Sequence, residues 1–340
     1  MIGPELAEDA VDLHLQQAFP GRNGPDHLGK QQPATAFASR PLDDPAFPLE
    51  GAESSNLFDG GVPIGVDHGP IVGTIDAPSS AGRLTAMLLA IDLGNTNLTF
   101  GLFEGDRLRH DWRFATRRDS MPDELGLLMV QLMRQEGFDP KGVEAVVVAS
   151  VVPPLNSSLV QAIESYFGRE PMMVGPGIKT GLKIHYRDPK EVGADRIVAA
   201  MAAFKAYGGP LIIIDFGTGT TYDVVSKEGD YLGGAIAPGM GISVEALYER
   251  AARLQRVELK APASVIGRTT AESMQAGIVF GYTAQVEGMV ARIRKELGEN
   301  ARVIATGGLA GLIAAETSVI ELVDQRLMLE GLRLIYDLNA

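Results

Sequence analysis

From residue 87 onward, apolar runs of strand length alternate with stretches whose apolar positions recur at helical spacing. Leu88 to Ile91 is unbroken apolar, as in a strand covered on both faces. It ends at Asp92 and the turn residues Gly94, Asn95, Thr96 and Asn97. Short strands over 98–103 and 107–114 follow, joined by Glu104, Gly105 and Asp106. Ser120, with Asp123 and Glu124 behind it, predicts a capped helix to about Glu136. A buried strand over 145–152 is closed by Pro153 and Pro154, and a helix over 155–167 comes next. The order β-β-β-α-β-α is one half of a duplicated α/β fold.

The other half begins at Leu211. A second apolar run ends at Asp215, Gly217 and the hydroxyl residues Thr218, Thr220 and Thr221, and a second Glu-Gly-Asp turn stands at 228–230. The two copies align with one single-residue gap, so two similar halves with facing loops are expected. Between them, 175–189 reads as a Gly- and Pro-punctuated connection, and a helix opens at 192–197 and runs to about Tyr207. After Leu211 the pattern predicts a strand from Tyr231 into a glycine loop, a helix from Ile242, and a long helix over 270–297 broken or kinked near Gly281. A strand over 301–305 leads to Thr306, Gly307 and Gly308, a turn suited to a flat purine ring or to a plain strand-to-helix connection. Two more elements end the chain. The expected domains are an N-terminal extension over 1–86 and two halves over 87–208 and 209–340.

Residues 1–86 depart from this pattern. They hold ten of the twenty prolines and carry twelve acidic against four basic side chains, −8 of the net −13. Such a segment reads as mostly disordered, with one short helix over 4–18. His14, His27 and His68 share no ligand-like spacing. Met87 reads as an alternative translation start. The acidic balance argues against nucleic acid as a main partner, and without cysteine there is no disulfide, thiolate catalysis or thiolate zinc site. No apolar run approaches the roughly 18–20 residues of a membrane span, and the first residues lack the regions of a signal peptide. A cytoplasmic location is expected.

A lone Asp-x-Gly turn is more often an Asx turn closing a hairpin. Two of them facing across a cleft would instead clamp a polyphosphate, with small residues that let backbone N–H groups approach it. Asp92 could then hold a hydrated cation beside the phosphates. Asp195 falls at a helix N-terminus between Gly193 and Arg196, so it is expected to be ionised and able to take a proton from a hydroxyl attacking phosphorus. Arg196 is expected to pair with a substrate carboxylate. A surface ion pair at a helix start is the other reading of the same residues.

Residues 87–340 resemble the type III pantothenate kinases of the actin-like superfamily of sugar kinases, chaperones and actin ATPases. Asp92 to Thr99 resembles the family's first phosphate motif, Tyr186 to Arg196 its pantothenate motif, Asp215 to Thr221 its second phosphate motif and Thr306 to Gly308 its adenosine motif. Gly219 stands where the family more often has Ala. Residues 266–273 match a stretch whose second Thr, here Thr270, reaches the substrate from the partner chain of a dimer. The resemblance implies duplicated actin-like, ribonuclease H-like domains with a nucleotide cleft between them, and ATP-dependent phosphorylation of pantothenate in coenzyme A biosynthesis. It implies Asp195 as proton acceptor, and Tyr186, Gly193, Ala194, Asp195, Arg196 and Thr270 around pantothenate. ATP, with Mg2+, would lie on Asp92, Leu93, Gly94, Asn95, Thr96, Asn97, Leu98, Thr99 and Thr218. A monovalent cation, K+ or NH4+, would lie at Asp215, in a homodimer. The alternatives are a kinase of another small hydroxylated substrate and a nucleotide-binding regulator without turnover.

Overall fold

The first strand, β1 (Met87–Leu93), alternates its side chains between two buried environments. Leu89, Ile91 and Leu93 enter one core cluster, Leu88 and Ala90 another. A strand apolar at every position is explained by cover on both faces. The computed structural model describes residues 86–251 and 254–340, so the expectations for the N-terminal segment fall outside the described residues apart from Ala86.

β1 pairs antiparallel with β2 (Asn97–Glu104), which pairs with β3 (Arg107–Ala115). On its other side β1 runs parallel to β4 (Val143–Ser150), beside β5 (Met172–Met173), giving the order β3-β2-β1-β4-β5. The second sheet repeats this plan. β7 (Leu211–Phe216), β8 (Gly219–Val225) and β9 (Asp230–Pro238) are antiparallel neighbours, and β10 (Arg302–Thr306) and β11 (Leu322–Val323) continue in parallel. The order is β11-β10-β7-β8-β9-β6, with β6 (Lys183–Ile184) added at the edge. Strand for strand, β7 to β11 take the places of β1 to β5. The duplication read in the sequence is therefore a duplication of topology.

Helices form the other layers. α1 (Pro122–Gln135) and α2 (Pro153–Phe167) cover the outer face of the first sheet. α4 (Met240–Arg250), α5 (Thr270–Leu297) and α6 (Ala310–Ala314) cover the outer face of the second. Between the sheets lie α3 (Ala194–Tyr207) and α7 (Leu327–Asn339). α3 is buried without interruption from Arg196 to Ala203, and its small alanines let both sheets approach it.

Three local expectations are corrected. The N-cap of α1 is Met121, not Ser120, because the Glu124 carboxylate accepts from the Met121 N–H at 2.8 Å. Pro153 and Pro154 open α2 rather than merely closing β4, since the first helical turn has no use for their missing N–H groups. α5 runs unbroken through Gly281 for 28 residues, where packing of its buried stripe outweighs glycine's weak propensity.

Candidate active site

Each Asp-x-Gly stretch closes the first hairpin of its sheet, and the two hairpins are tied by equivalent bonds. The Gly94 N–H donates to Asn97 O at 3.0 Å, and the Gly217 N–H to Gly219 O at 3.1 Å. Backbone arriving from the third strand then braces each tip: Thr116 N–H donates to Thr96 O at 2.9 Å and Gly239 N–H to Thr218 O at 3.0 Å. A Cβ on Gly239 would come within 2.2 Å of Thr218 O, so that brace requires glycine. The tips meet where the Thr96 and Thr218 hydroxyls share a hydrogen bond of 2.7 Å.

Behind the tips opens a cleft of about 590 Å³. Asp92, Gly94, Asn95, Thr96, Asn97 and Thr99 line one wall; Asp195, Asp215 and Thr218 stand opposite. Leu93 and Leu98, expected with this group, turn into the core, so their side chains cannot reach a ligand there. Thr306, Gly307 and Gly308 also line it. Gly307 has φ 91°, and a Cβ there would lie 2.4 Å from Asp215 Oδ1, so glycine alone fits this turn. Gln325 Nε2 donates to Gly307 O at 2.9 Å and holds it in place.

The electrostatics differ from the sequence expectation. Burial pushes the Asp195 carboxyl above its ordinary value, against the Arg196 N–H that donates to Oδ1 at 2.8 Å and the Arg196 charge. Helix N-terminus and arginine were visible in sequence; the burial was not. Asp92 rises to about 8, through burial first and then repulsion from Asp195 and Asp215, with Arg113 opposing. Asp215 rises to about 7 through burial, Asp195 and Asp223, again opposed by Arg113. Three of the cleft's carboxyls are thus held above their ordinary values, by burial first and, for Asp92 and Asp215, by repulsion from other carboxylates second.

That donor set suits incoming cations. Among the described residues no three His, Asp or Glu groups converge into a metal centre. Separate carboxylates fit a Mg2+ ion that keeps most of its water and arrives on a nucleotide's phosphates.

Gly193 is fixed by the same turn, since a Cβ there would lie 2.4 Å from Asp195 Oδ1. Arg196 is not free for a substrate carboxylate as expected. It is 7% exposed, and its Nε and Nη2 each lie 2.7 Å from Asp223 Oδ1. Tyr231 OH and Thr221 Oγ1 also donate to Asp223, at 2.7 and 3.0 Å. Tyr186 is half-buried beside this cluster, its ring 3.5 Å from where a Cβ on Gly233 would sit. Ala194 begins α3. Thr270 begins α5, is exposed, and does not line the cleft of its own chain.

Sequence reasoning missed Asp111, Arg113, Gln325 and Arg326 in the cleft and Asp223 beneath it. Asp223 left one signal, a charge inside the apolar run Tyr222 to Val225. The others come from a third strand and a final helix whose place only the fold reveals.

Two facing hairpins led by aspartate, on two sheets of matching strand order with a carboxylate between them, define a nucleotide-dependent phosphotransferase of the actin-like class. The sequence model for type III pantothenate kinase matches residues 88–292. A type III pantothenate kinase of Moorella thermoacetica is 52% identical over 254 residues, 75% of this chain and all of the relative. Those of Brevibacillus brevis and Myxococcus xanthus are each 53% identical over 253 residues, 74% of this chain and 99% of the relative. The chain belongs to the type III pantothenate kinase family.

Proposed function

We propose that this kinase phosphorylates the primary hydroxyl of pantothenate, giving 4′-phosphopantothenate for coenzyme A synthesis, with Asp195 as proton acceptor. The observation behind the assignment is that Asp195 opens α3 into the cleft that both phosphate hairpins line. The hydroxyl oxygen bonds to the γ-phosphorus, the bond from phosphorus to the β-bridging oxygen breaks, ADP leaves, and the hydroxyl proton passes to an Asp195 carboxylate oxygen. Mg2+, when bound with the nucleotide, neutralises phosphate charge. The backbone and hydroxyls of 94–97, with Thr99 and Thr218, orient the phosphates. Asp92 faces the nucleotide's hydrated metal, and Asp215 holds a monovalent cation, K+ or NH4+.

Tyr186, Gly193, Ala194 and Arg196 frame the pantothenate end. In this reading Arg196, pinned by Asp223, presents its remaining N–H capacity as a fixed donor and also anchors the turn that carries Asp195. A homodimer supplies the partner subunit's Thr270 to the same end. Six exposed large hydrophobic side chains support that assembly: Leu232, Ile236, Ile242, Leu247, Val265 and Ile266 all fall in the stretch from β9 to the start of α5, where Thr270 stands. Ile266 is 81% exposed, which a single copy leaves unexplained. The cysteine-free composition and ATP dependence suit the cytoplasm.

Asp195→Asn tests the base. The amide keeps size and hydrogen bonding but cannot take the proton, so kcat should fall about 10²–10³-fold, the lower part of the general-base range, because a loose transition state asks little of the nucleophile. ATP affinity should hold. A fall below about tenfold removes Asp195 from the role. Wild-type protein that makes no phosphopantothenate with ATP, Mg2+, K+ and pantothenate refutes the whole reading.

A further inference from the structure

Two guanidinium groups in the cleft, Arg113 and Arg326, have no part in the assignments above. Strand register places Arg113 at the end of a cross-strand row: Asp92 of β1 faces Thr99 of β2, and Thr99 faces Arg113 of β3. Residues paired in register share a face of the sheet, and all three line the cleft. The Arg113 side chain crosses towards the second sheet, where Nη2 and Nη1 lie 3.4 and 3.6 Å from the point a Cβ on Gly308 would occupy. It therefore spans the space between the first hairpin and the Thr306–Gly308 turn. Arg113 is exposed and makes no ion pair or hydrogen bond with a carboxylate among the described residues.

The surroundings say what it awaits. Four carboxylates line the cleft (Asp92, Asp111, Asp195 and Asp215) against two guanidinium groups, Arg113 and Arg326. A polyphosphate entering there meets net repulsion unless cations accompany it and an arginine meets it. The planar fork of a guanidinium matches two phosphate oxygens at once, and Arg113 is the arginine in register with the first hairpin's aspartate and hydroxyl. Its charge already opposes the rise in pKa of both Asp92 and Asp215. Balancing those two carboxylates is the simpler role, and it makes different predictions.

We propose that Arg113 is a nucleotide-binding residue of the phosphate clamp, gripping the terminal phosphates of ATP across the cleft and offsetting charge on the phosphoryl group in flight. The proposal rests on the ATP-dependent transfer described above. The full chain, with Arg113→Gln and Arg113→Lys, tests it through steady-state kinetics, calorimetric binding of ATP and of adenosine, and melting temperature. Arg113→Gln should lower kcat/KM for ATP roughly 10²-fold, the size of losing one preorganised donor to developing charge. Arg113→Lys should lose roughly tenfold, keeping a point charge but not the fork. ATP binding should weaken while adenosine binding and the pantothenate KM stay within about twofold, because neither ligand carries a polyphosphate. Wild-type kcat/KM for ATP in Arg113→Gln overturns the proposal, as does equal weakening of ATP and adenosine. A change confined to melting temperature also overturns it and leaves the charge-balancing role. Failure of the unaltered protein to turn over pantothenate would count against the kinase reading alone, since the ATP and adenosine arms still decide Arg113.

Discussion

The two sheets repeat each other strand for strand, and their corresponding rows show where duplication stopped. In the first sheet the row through the hairpin aspartate reads Asp92, Thr99, Arg113; in the second it reads Asp215, Thr221, Ile236. Carboxylate and hydroxyl are kept in both, as a clamp closing from two sides requires. The third position differs: Arg113 reaches across the cleft, whereas Ile236 is 67% exposed on β9. Two residues further along the same strands, on the same face, the halves differ again. Gly101 faces Asp111 in the first sheet, and a Cβ on Gly101 would lie 2.8 Å from Leu329 of α7. Asp223 takes the matching place in the second sheet and holds Arg196 of α3. The middle layer thus packs on both sheets and is tied to the second by a buried ion pair as well. Equivalent frames have been given unequal work.

The sharpest way to break this comparison is to remove each hairpin carboxylate. Asp92→Asn should lower kcat/KM for ATP by about 10²–10³-fold. With Asp215 in its proposed cation role, Asp215→Asn should act chiefly by abolishing stimulation by K+, with a smaller loss, about tenfold, when compared without added K+. Equal losses and equal K+ responses would mean that the halves do not differ in this way.

A second test uses stability. Both carboxyls carry raised values in the folded protein, Asp92 to about 8 and Asp215 to about 7, so the native state binds more protons than the unfolded chain above their ordinary value. Their contribution to ligand-free stability should therefore fall as pH rises from about 4, more gently above about 7, and level off above about 8. The ceiling is about 1.4 kcal/mol per pH unit per group, and each 1 kcal/mol moves the melting temperature by about 2–4 °C at this size. Relative to wild type, Asp92→Asn should gain melting temperature between pH 5 and 8 and gain no more beyond. A difference independent of pH removes the raised Asp92 value, burial and repulsion together, from the account.

The smallest expected effect exchanges the row ends. Ile236→Arg places the first sheet's residue on the second, at an exposed position where it should fold normally. ATP affinity should stay within about twofold, since the side chain does not line the cleft. In the proposed homodimer, dissociation should strengthen by about tenfold, a typical interface loss, with a matching rise in pantothenate KM. Tighter ATP binding would show that row position alone makes a phosphate site.

Much of this was legible in the chain because it is local. Apolar runs ending in Asp92 and Asp215, each followed by glycine and hydroxyls, specify strand and turn within a dozen residues. Repetition of that local signal announced the duplication, and the start of α3 at Gly193 to Arg196 could be placed beside it. Missed were the quantities summed over distant parts. The acidity of Asp195 depends on how much of the molecule closes over it, and the partner of Arg196 lies 27 residues away.

What the sequence by itself determined was therefore the repeated frame, the two hairpins and the helix-start aspartate, because backbone periodicity and turn chemistry are written in neighbouring residues. Tertiary structure alone decided that α3 and α7 lie together between the sheets, that four carboxylates line one cleft and three of them are held above their ordinary values, and that Arg113 stands in register with Asp92. Strand pairing, burial and Coulomb repulsion depend on distances through space, and a linear order of residues does not contain them until the chain has folded.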